Sequence, residues 1–165
     1  MKTVSVCFVC LGNICRSPTA EGVMRHLVDE AKLAERILID SAGTGDWHIG
    51  APPDQRAQQA ATQRGYELAA LRGRQIAATD FERFDLLIAM DDKNVAALRQ
   101  MCPPGQRDKI RLLMEFAPQT DSRWSGTREV TDPYFGGAEG FEQVLDQCEA
   151  ACRGLIAALR PQLFT

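Results

Sequence analysis

Cys10 and Arg16 stand at the two ends of a short run, Cys10-Leu11-Gly12-Asn13-Ile14-Cys15-Arg16, and Ser17-Pro18 follow at once. A thiol, a guanidinium and a hydroxyl on so short a piece of chain could bind an oxyanion and attack it. Arginine offers a planar fork of donors that meets a phosphate bidentately. The same positive surroundings favour the thiolate of Cys10, the nucleophilic form of cysteine. Ser17 is placed to donate a hydrogen bond to that sulfur. A bare C-x5-R pair means little, because six cysteines and many arginines supply such spacings by chance. Its setting decides whether it matters.

That setting is a strand, a tight loop and a helix. Residues 4–10 form a short apolar run, Gly12-Asn13 breaks it, and an amphipathic pattern restarts after Ser17-Pro18. Ser17 reads as the helix N-cap and Pro18 as its first residue, with the helix running to about Ala34. A loop that enters a helix N-terminus presents converging backbone N–H groups, a ready anion site. Further along, Ile37-Leu38-Ile39 reads as a second strand ending near Asp40-Ser41. The Gly-rich loop from Ala42 to Pro53 carries Trp47 at its middle, and a loop that long is more often functional than filler. A helix is expected over 54–64, stopping at Gly65. The continuous apolar run from Asp85 to Met90 reads as a buried parallel strand, with Asp91-Asp92 opening a helix to about Met101. A fourth strand is expected over 109–114, then an irregular stretch to Gly137. Phe141, Val144, Leu145, Cys148, Cys152, Leu155, Ile156 and Leu159 give the last helix one apolar face. Strands alternating with helices imply an α/β fold: a small doubly wound, four-stranded parallel sheet, flavodoxin-like or Rossmann-like, with helices on both faces, in one domain over 1–165. Such sheets bind ligands beyond the carboxyl ends of their strands. Cys10, Ser41 and Asp91 all lie at such ends.

A formal net charge of −3, with 45% hydrophobic and 25% charged residues, argues against general binding to nucleic acid or an anionic membrane. Any phosphate site must therefore be local. Gly12, Asn13 and Arg16 interrupt the first apolar run too early for a signal peptide, and no run reaches membrane-spanning length, so a cytoplasmic location is expected. Of the six cysteines, Cys7, Cys148 and Cys152 read as small buried hydrophobes, and Cys102 marks a helix end before Pro103-Pro104. No doubled C-x-x-C spacing suggests zinc.

On these motifs the chain resembles the low-molecular-weight protein tyrosine phosphatases. The resemblance rests on residues 10–18 and on Asp40-Ser41-Ala42-Gly43. It extends through Asp46-Trp47, Pro52-Pro53-Asp54, Arg74-Gln75, Met90-Asp91 and Asp132-Pro133-Tyr134, nearly the whole chain. It implies hydrolysis of phosphotyrosine through a phosphocysteine at Cys10, with the phosphate held by Arg16 and by Leu11, Gly12, Asn13, Ile14, Cys15 and Ser17. It also supplies the missing proton donor, Asp132, although an Asp-Pro-Tyr by itself is an ordinary turn. Asn13 is implied to be strained and held by Ser41 and Asn94, with Trp47 and Tyr134 as aromatic walls of a pocket deep enough to favour phosphotyrosine. Neither metal nor cofactor is required, since Arg16 and backbone dipoles take a cation's place. The implied partners are phosphotyrosine proteins and a cognate tyrosine kinase, with the enzyme a monomer. In the family a Cys10–Cys15 type of disulfide can shield the nucleophile from over-oxidation.

Three positions depart from or refine that pattern. Leu71 replaces a histidine common among relatives, which bears on the network around Asn13. Phe135 replaces a second tyrosine. Ile14 is apolar where the family's arginine phosphatases carry threonine, which favours phosphotyrosine over phosphoarginine. Among rival readings, an arsenate reductase of the same fold needs two further cysteines near the site, and Cys102 is alone. A phosphate-binding module without catalysis would not need Cys10, Arg16 and Asp132 together. A dinucleotide-binding domain would need G-x-G-x-x-G.

Overall fold

The computed structural model describes residues 2–164. Strand β1 (Val4–Cys10) is apolar at every position but Ser5, as a strand covered on both faces must be. It pairs in parallel with β2 (Ile37–Gly43) on one side and β3 (Leu86–Ala89) on the other. The short β4 (Ile110–Leu112) lies at the edge, giving the order β2-β1-β3-β4, all parallel. The chain steps from β1 to β2, then crosses back over β1 to β3. The switch point therefore lies beyond the carboxyl ends of β1 and β3, where a crevice is expected.

Helices α1 (Arg16–Glu30), α2 (Gln55–Gln63) and α5 (Ala138–Leu163) cover one face. The single turn α3 (Asp80–Arg83) and α4 (Asp92–Met101) cover the other. Strand alternation sorts β1 between them. Val4, Val6, Phe8 and Cys10 face α1 and α5, whereas Cys7 and Val9 meet Phe81, Phe84 and Leu98. Cys7 and Cys10 do have C-x-x-C spacing, but an odd separation along a strand sends them to opposite faces, so they cannot share an ion. Cys148 and Cys152 are fully buried in the larger core, as expected, and burial holds both thiols well above their ordinary pKa. Among the described residues no helix is long and apolar enough to cross a membrane.

Four boundaries differ from the sequence reading. Helix α1 starts at Arg16, with Cys15 at the N-cap and no side-chain cap, so Ser17 is inside the first turn. Pro18 is tolerated there because the first turn's N–H groups have no intrahelical acceptor. The helix ends at Glu30, because Lys32 takes φ 59° and turns the chain away. Strand β2 runs on to Gly43, which stands in register with Cys10. The fourth strand shrinks to three residues between two 3-10 turns, the second over Leu113–Phe116.

The irregular stretch before α5 is tied down where it matters. The Val130 N–H donates to the Met90 carbonyl at 2.8 Å, just past the end of β3. The Glu129 carbonyl accepts from the Gln147 side chain on α5 at 3.1 Å, and its carboxylate accepts from the Asp92 N–H at 2.8 Å. Those bonds bring Asp132 to the switch point.

Candidate active site

The loop between β1 and α1 is wrapped from outside. The carbonyls of Cys10 and Leu11 accept from the N–H groups of Thr44 and Gly45 at 2.9 Å each, and the Ile14 carbonyl accepts from Asp54 at 2.8 Å. In a trans peptide the carbonyl and N–H of one unit point opposite ways. Outward carbonyls at Cys10, Leu11 and Ile14 therefore turn the N–H groups of Leu11, Gly12 and Cys15 inward. Gly43 makes the wrapping possible: a Cβ there would stand 2.9 Å from the Leu11 carbonyl oxygen and 3.1 Å from the Asn13 Cβ.

Asn13 takes φ 56°, a left-handed conformation that asparagine tolerates better than most residues. Its buried side chain holds it there. Nδ2 donates to Ser17 Oγ at 2.8 Å and to Ser41 Oγ at 3.0 Å, and Oδ1 accepts from the Arg74 N–H at 3.0 Å. Ser41 Oγ in turn donates to the carboxylate of the buried Glu21 at 2.6 Å, and Glu21 is paired with Arg25. Ser41 therefore bonds Asn13 as expected. Asn94 does not. Its Oδ1 accepts from the N–H groups of Met90 and Asp91, while Asp91 accepts the Asn94 N–H, a reciprocal cap on α4. Leu71 packs partly buried against the larger core, and the oxygen of Asn13 is held by the Arg74 backbone N–H.

Cys10 Sγ is buried beneath this loop. It accepts the Asn13 N–H at 3.3 Å and lies 3.0 Å from Ser17 Oγ. Ser17 Oγ accepts from Asn13 and has two acceptors within reach of its own proton, the sulfur at 3.0 Å and, at 3.4 Å, the Ala42 carbonyl. The hydroxyl expected to cap the helix lies beside the thiol. Cys15 sits in the same loop, buried, and desolvation aided by the Asp54 carboxylate pushes its thiol up to about 12.

Arg16 is only 3% exposed and is held from below. Nη1 donates to Asp91 at 2.6 Å and to the Val130 carbonyl at 3.0 Å, and Nη2 lies 3.7 Å from Asp132. Burial works against its charge, but Cys10, Asp91 and Asp132 more than compensate, so the guanidinium is held above its ordinary pKa. Asp132 is partly exposed, with Oδ1 accepting the Tyr134 N–H at 3.1 Å. A cavity of about 260 Å³ opens above the sulfur, lined by the loop together with Arg16, Trp47, His48, Asp132 and Tyr134. Residues singled out in three separate stretches, the 10–16 loop, Trp47 and Asp132 with Tyr134, thus meet at one pocket.

Asp91, Glu21, Arg74 and His48 were not assigned roles from the sequence. Asp91-x-x-Asn94 did carry a readable capping signal. Glu21 gave none, since a glutamate within a helix usually faces water. A larger cavity, about 350 Å³, lies away from this chemistry beside Arg25 and Tyr66. It contains none of the loop residues.

Comparison with known proteins fits this geometry. The family described as low molecular weight phosphotyrosine protein phosphatase matches residues 5–163. A low molecular weight protein-tyrosine-phosphatase of Streptomyces coelicolor is 45% identical over 98% of this chain and 96% of its own. The crystal structure of a protein tyrosine phosphatase from Entamoeba histolytica, 39% identical, superposes with a TM-score of 0.90 over 97% of this chain and 99% of that one. A Drosophila arginine phosphatase structure, 35% identical, gives 0.84 over 97% and 98%. Sequence, fold and pocket agree: the chain belongs to the low molecular weight phosphotyrosine protein phosphatase family and is a cysteine-based phosphotyrosine hydrolase.

Proposed function

We propose that Cys10 is the nucleophile, Arg16 the phosphate clamp and Asp132 the general acid and base of that hydrolysis. The observation that carries this reading is the convergence on one sulfur. Cys10 Sγ accepts the Asn13 N–H and lies 3.0 Å from Ser17 Oγ, with Arg16 and Asp132 on the wall of the same pocket.

In the first step the thiolate attacks phosphorus; the S–P bond forms as the bond to the tyrosine oxygen breaks, and the Asp132 carboxyl gives its proton to the leaving phenolate. In the second step water attacks phosphorus and gives a proton to the Asp132 carboxylate. The S–P bond breaks, and thiolate and inorganic phosphate are released. Arg16 and the inward N–H groups of Leu11, Gly12 and Cys15 stabilise the spread charge of the transferring group. Trp47 and Tyr134 flank the phenyl ring. The pocket's depth between them disfavours phosphoserine, whose shorter side chain would leave phosphorus short of the sulfur.

The reading also sets the enzyme against a tyrosine kinase, as a cytoplasmic monomer whose six free thiols stay reduced. Under peroxide, Cys15 is the partner that would close a disulfide on Cys10. The deciding experiment compares kcat/KM on phosphotyrosine, phosphoserine and phosphoarginine versions of one peptide. Phosphotyrosine should lead by at least about tenfold. Equal or better turnover of phosphoarginine, as the name of the Drosophila relative would suggest for that protein, would overturn the assignment of substrate.

A further inference from the structure

The exposed apolar surface of this protein is not scattered. Among the described residues seven large hydrophobic side chains are exposed, and five of them, Leu11, Trp47, Ile49, Tyr134 and Phe135, belong to the pocket mouth or its adjoining loop. Phe135 is 95% exposed, Trp47 68% and Ile49 61%. A concentration of this kind marks an interaction site rather than ordinary surface.

The rim is also held in place. The Trp47 ring lies against Gly45, close enough that a Cβ there would fall 1.9 Å from a ring carbon. Phe135 meets Tyr134 edge to face, with ring centroids 4.9 Å apart. Its charges point one way. Arg16 is the one guanidinium or ammonium group lining the pocket among the described residues, and it is buried at the floor. Arg56, the cation next to Tyr134, already binds the Asp54 carboxylate and the Tyr134 carbonyl. The carboxylates near the mouth, Asp46 and Asp132, are exposed.

We propose that this rim binds the residues on either side of the phosphotyrosine in a substrate protein, and that it selects apolar neighbours over acidic ones. The inference rests on the phosphotyrosine reading above. A phosphotyrosine whose phosphate reaches the Cys10 sulfur leaves its main chain at the mouth, so the neighbouring side chains must lie against Leu11, Trp47, Ile49 and Phe135. Apolar neighbours would bury surface there. Acidic neighbours would approach the two carboxylates, while the one guanidinium lining the pocket, Arg16, is buried at its floor and engaged by the phosphate.

The test uses three peptides identical except at the positions flanking phosphotyrosine, which are leucine, alanine or glutamate, with p-nitrophenyl phosphate as internal control. The leucine peptide should exceed the glutamate peptide in kcat/KM by about tenfold or more. Ile49→Ser should cut the preference for leucine over alanine by about threefold while leaving p-nitrophenyl phosphate turnover unchanged, and Phe135→Ser should lower the ratio of leucine peptide to p-nitrophenyl phosphate turnover. Equal turnover of all three peptides would overturn the proposal and leave the phosphatase reading standing. Loss of the preference with a change in oligomeric state would show instead that the rim joins copies of this chain. No turnover of any phosphotyrosine peptide would bring down the functional reading itself.

Discussion

Asp132 illustrates how much a residue's role depends on its leaving group. If it protonates the departing phenolate, Asp132→Asn should lower kcat on a phosphotyrosine peptide by roughly 100-fold or more. In the phosphorylation step the loss should be much smaller on p-nitrophenyl phosphate, whose phenolate leaves without help, whereas hydrolysis of the phosphocysteine, in which Asp132 takes the water's proton, should slow alike for both. Rapid-quench release of phenol and of phosphate on the two substrates checks this. Cys15 makes a prediction in pH. Its thiol is pushed up to about 12 by burial, so at neutral pH almost none is thiolate, and attack on an oxidised Cys10 sulfenic acid must be slow. That attack expels hydroxide and should accelerate close to tenfold per unit as pH rises from 7 to 9. Disulfide formation after a peroxide pulse, followed by mass spectrometry, measures the slope. A flat profile would mean that Cys15 is not the attacking group.

At the scale of elements, the loop's shape is imposed by its neighbours as much as by its own residues. Three carbonyls are drawn outward by Thr44, Gly45 and Asp54, and Gly43 permits the approach. Gly43→Ala should cost about 1–3 kcal/mol in urea unfolding and weaken inorganic phosphate binding, because the new Cβ presses on the Leu11 carbonyl. Unaltered phosphate binding would contradict the wrapping argument. The strand-loop-helix unit itself was legible because its signals are local: an apolar run, Gly12-Asn13, then Ser17-Pro18. The start of α1 was misplaced by two residues for a physical reason, since Ser17 has two possible partners and the thiol and Asn13 claim its hydroxyl. The roles of Asp91 and Glu21 were not legible. Each depends on a partner far along the chain, Arg16 for one and Ser41 for the other, and no spacing rule reports such pairs. Resemblance brought Asp132 into view; the bonds at Glu129 and Val130 explain how a turn in an irregular stretch reaches the pocket.

Across the whole molecule, the doubly wound topology puts the ends of β1 and β3 side by side, so Cys10 and the Arg16–Asp91 pair share one crevice. The alternation of strand and helix made a doubly wound parallel sheet readable, while the order of its strands and the packing of α5 were not. Helix α5 seats against α1 and against the 3-10 turn that follows β4, and Gly154 faces the Phe116 backbone of that turn. A Cβ at Gly154 would fall 1.7 Å from the Phe116 carbonyl oxygen, a backbone atom that cannot step aside. Gly154→Ala should therefore destabilise the fold by about 3 kcal/mol, the upper end of ordinary overpacking, with KM unchanged where the variant remains folded. Thermal unfolding and steady-state kinetics separate the two effects.

Catalysis by this enzyme depends on a bond between the Cys10 sulfur and phosphorus. Rapid acid quenching of the enzyme during turnover of a phosphotyrosine peptide, followed by peptide mapping, tests it most directly. One phosphoryl group should be found on the peptide that carries Cys10, and none in the Cys10→Ser variant, which should still bind inorganic phosphate. Full turnover by Cys10→Ser, or turnover without phosphate on that peptide, would contradict it.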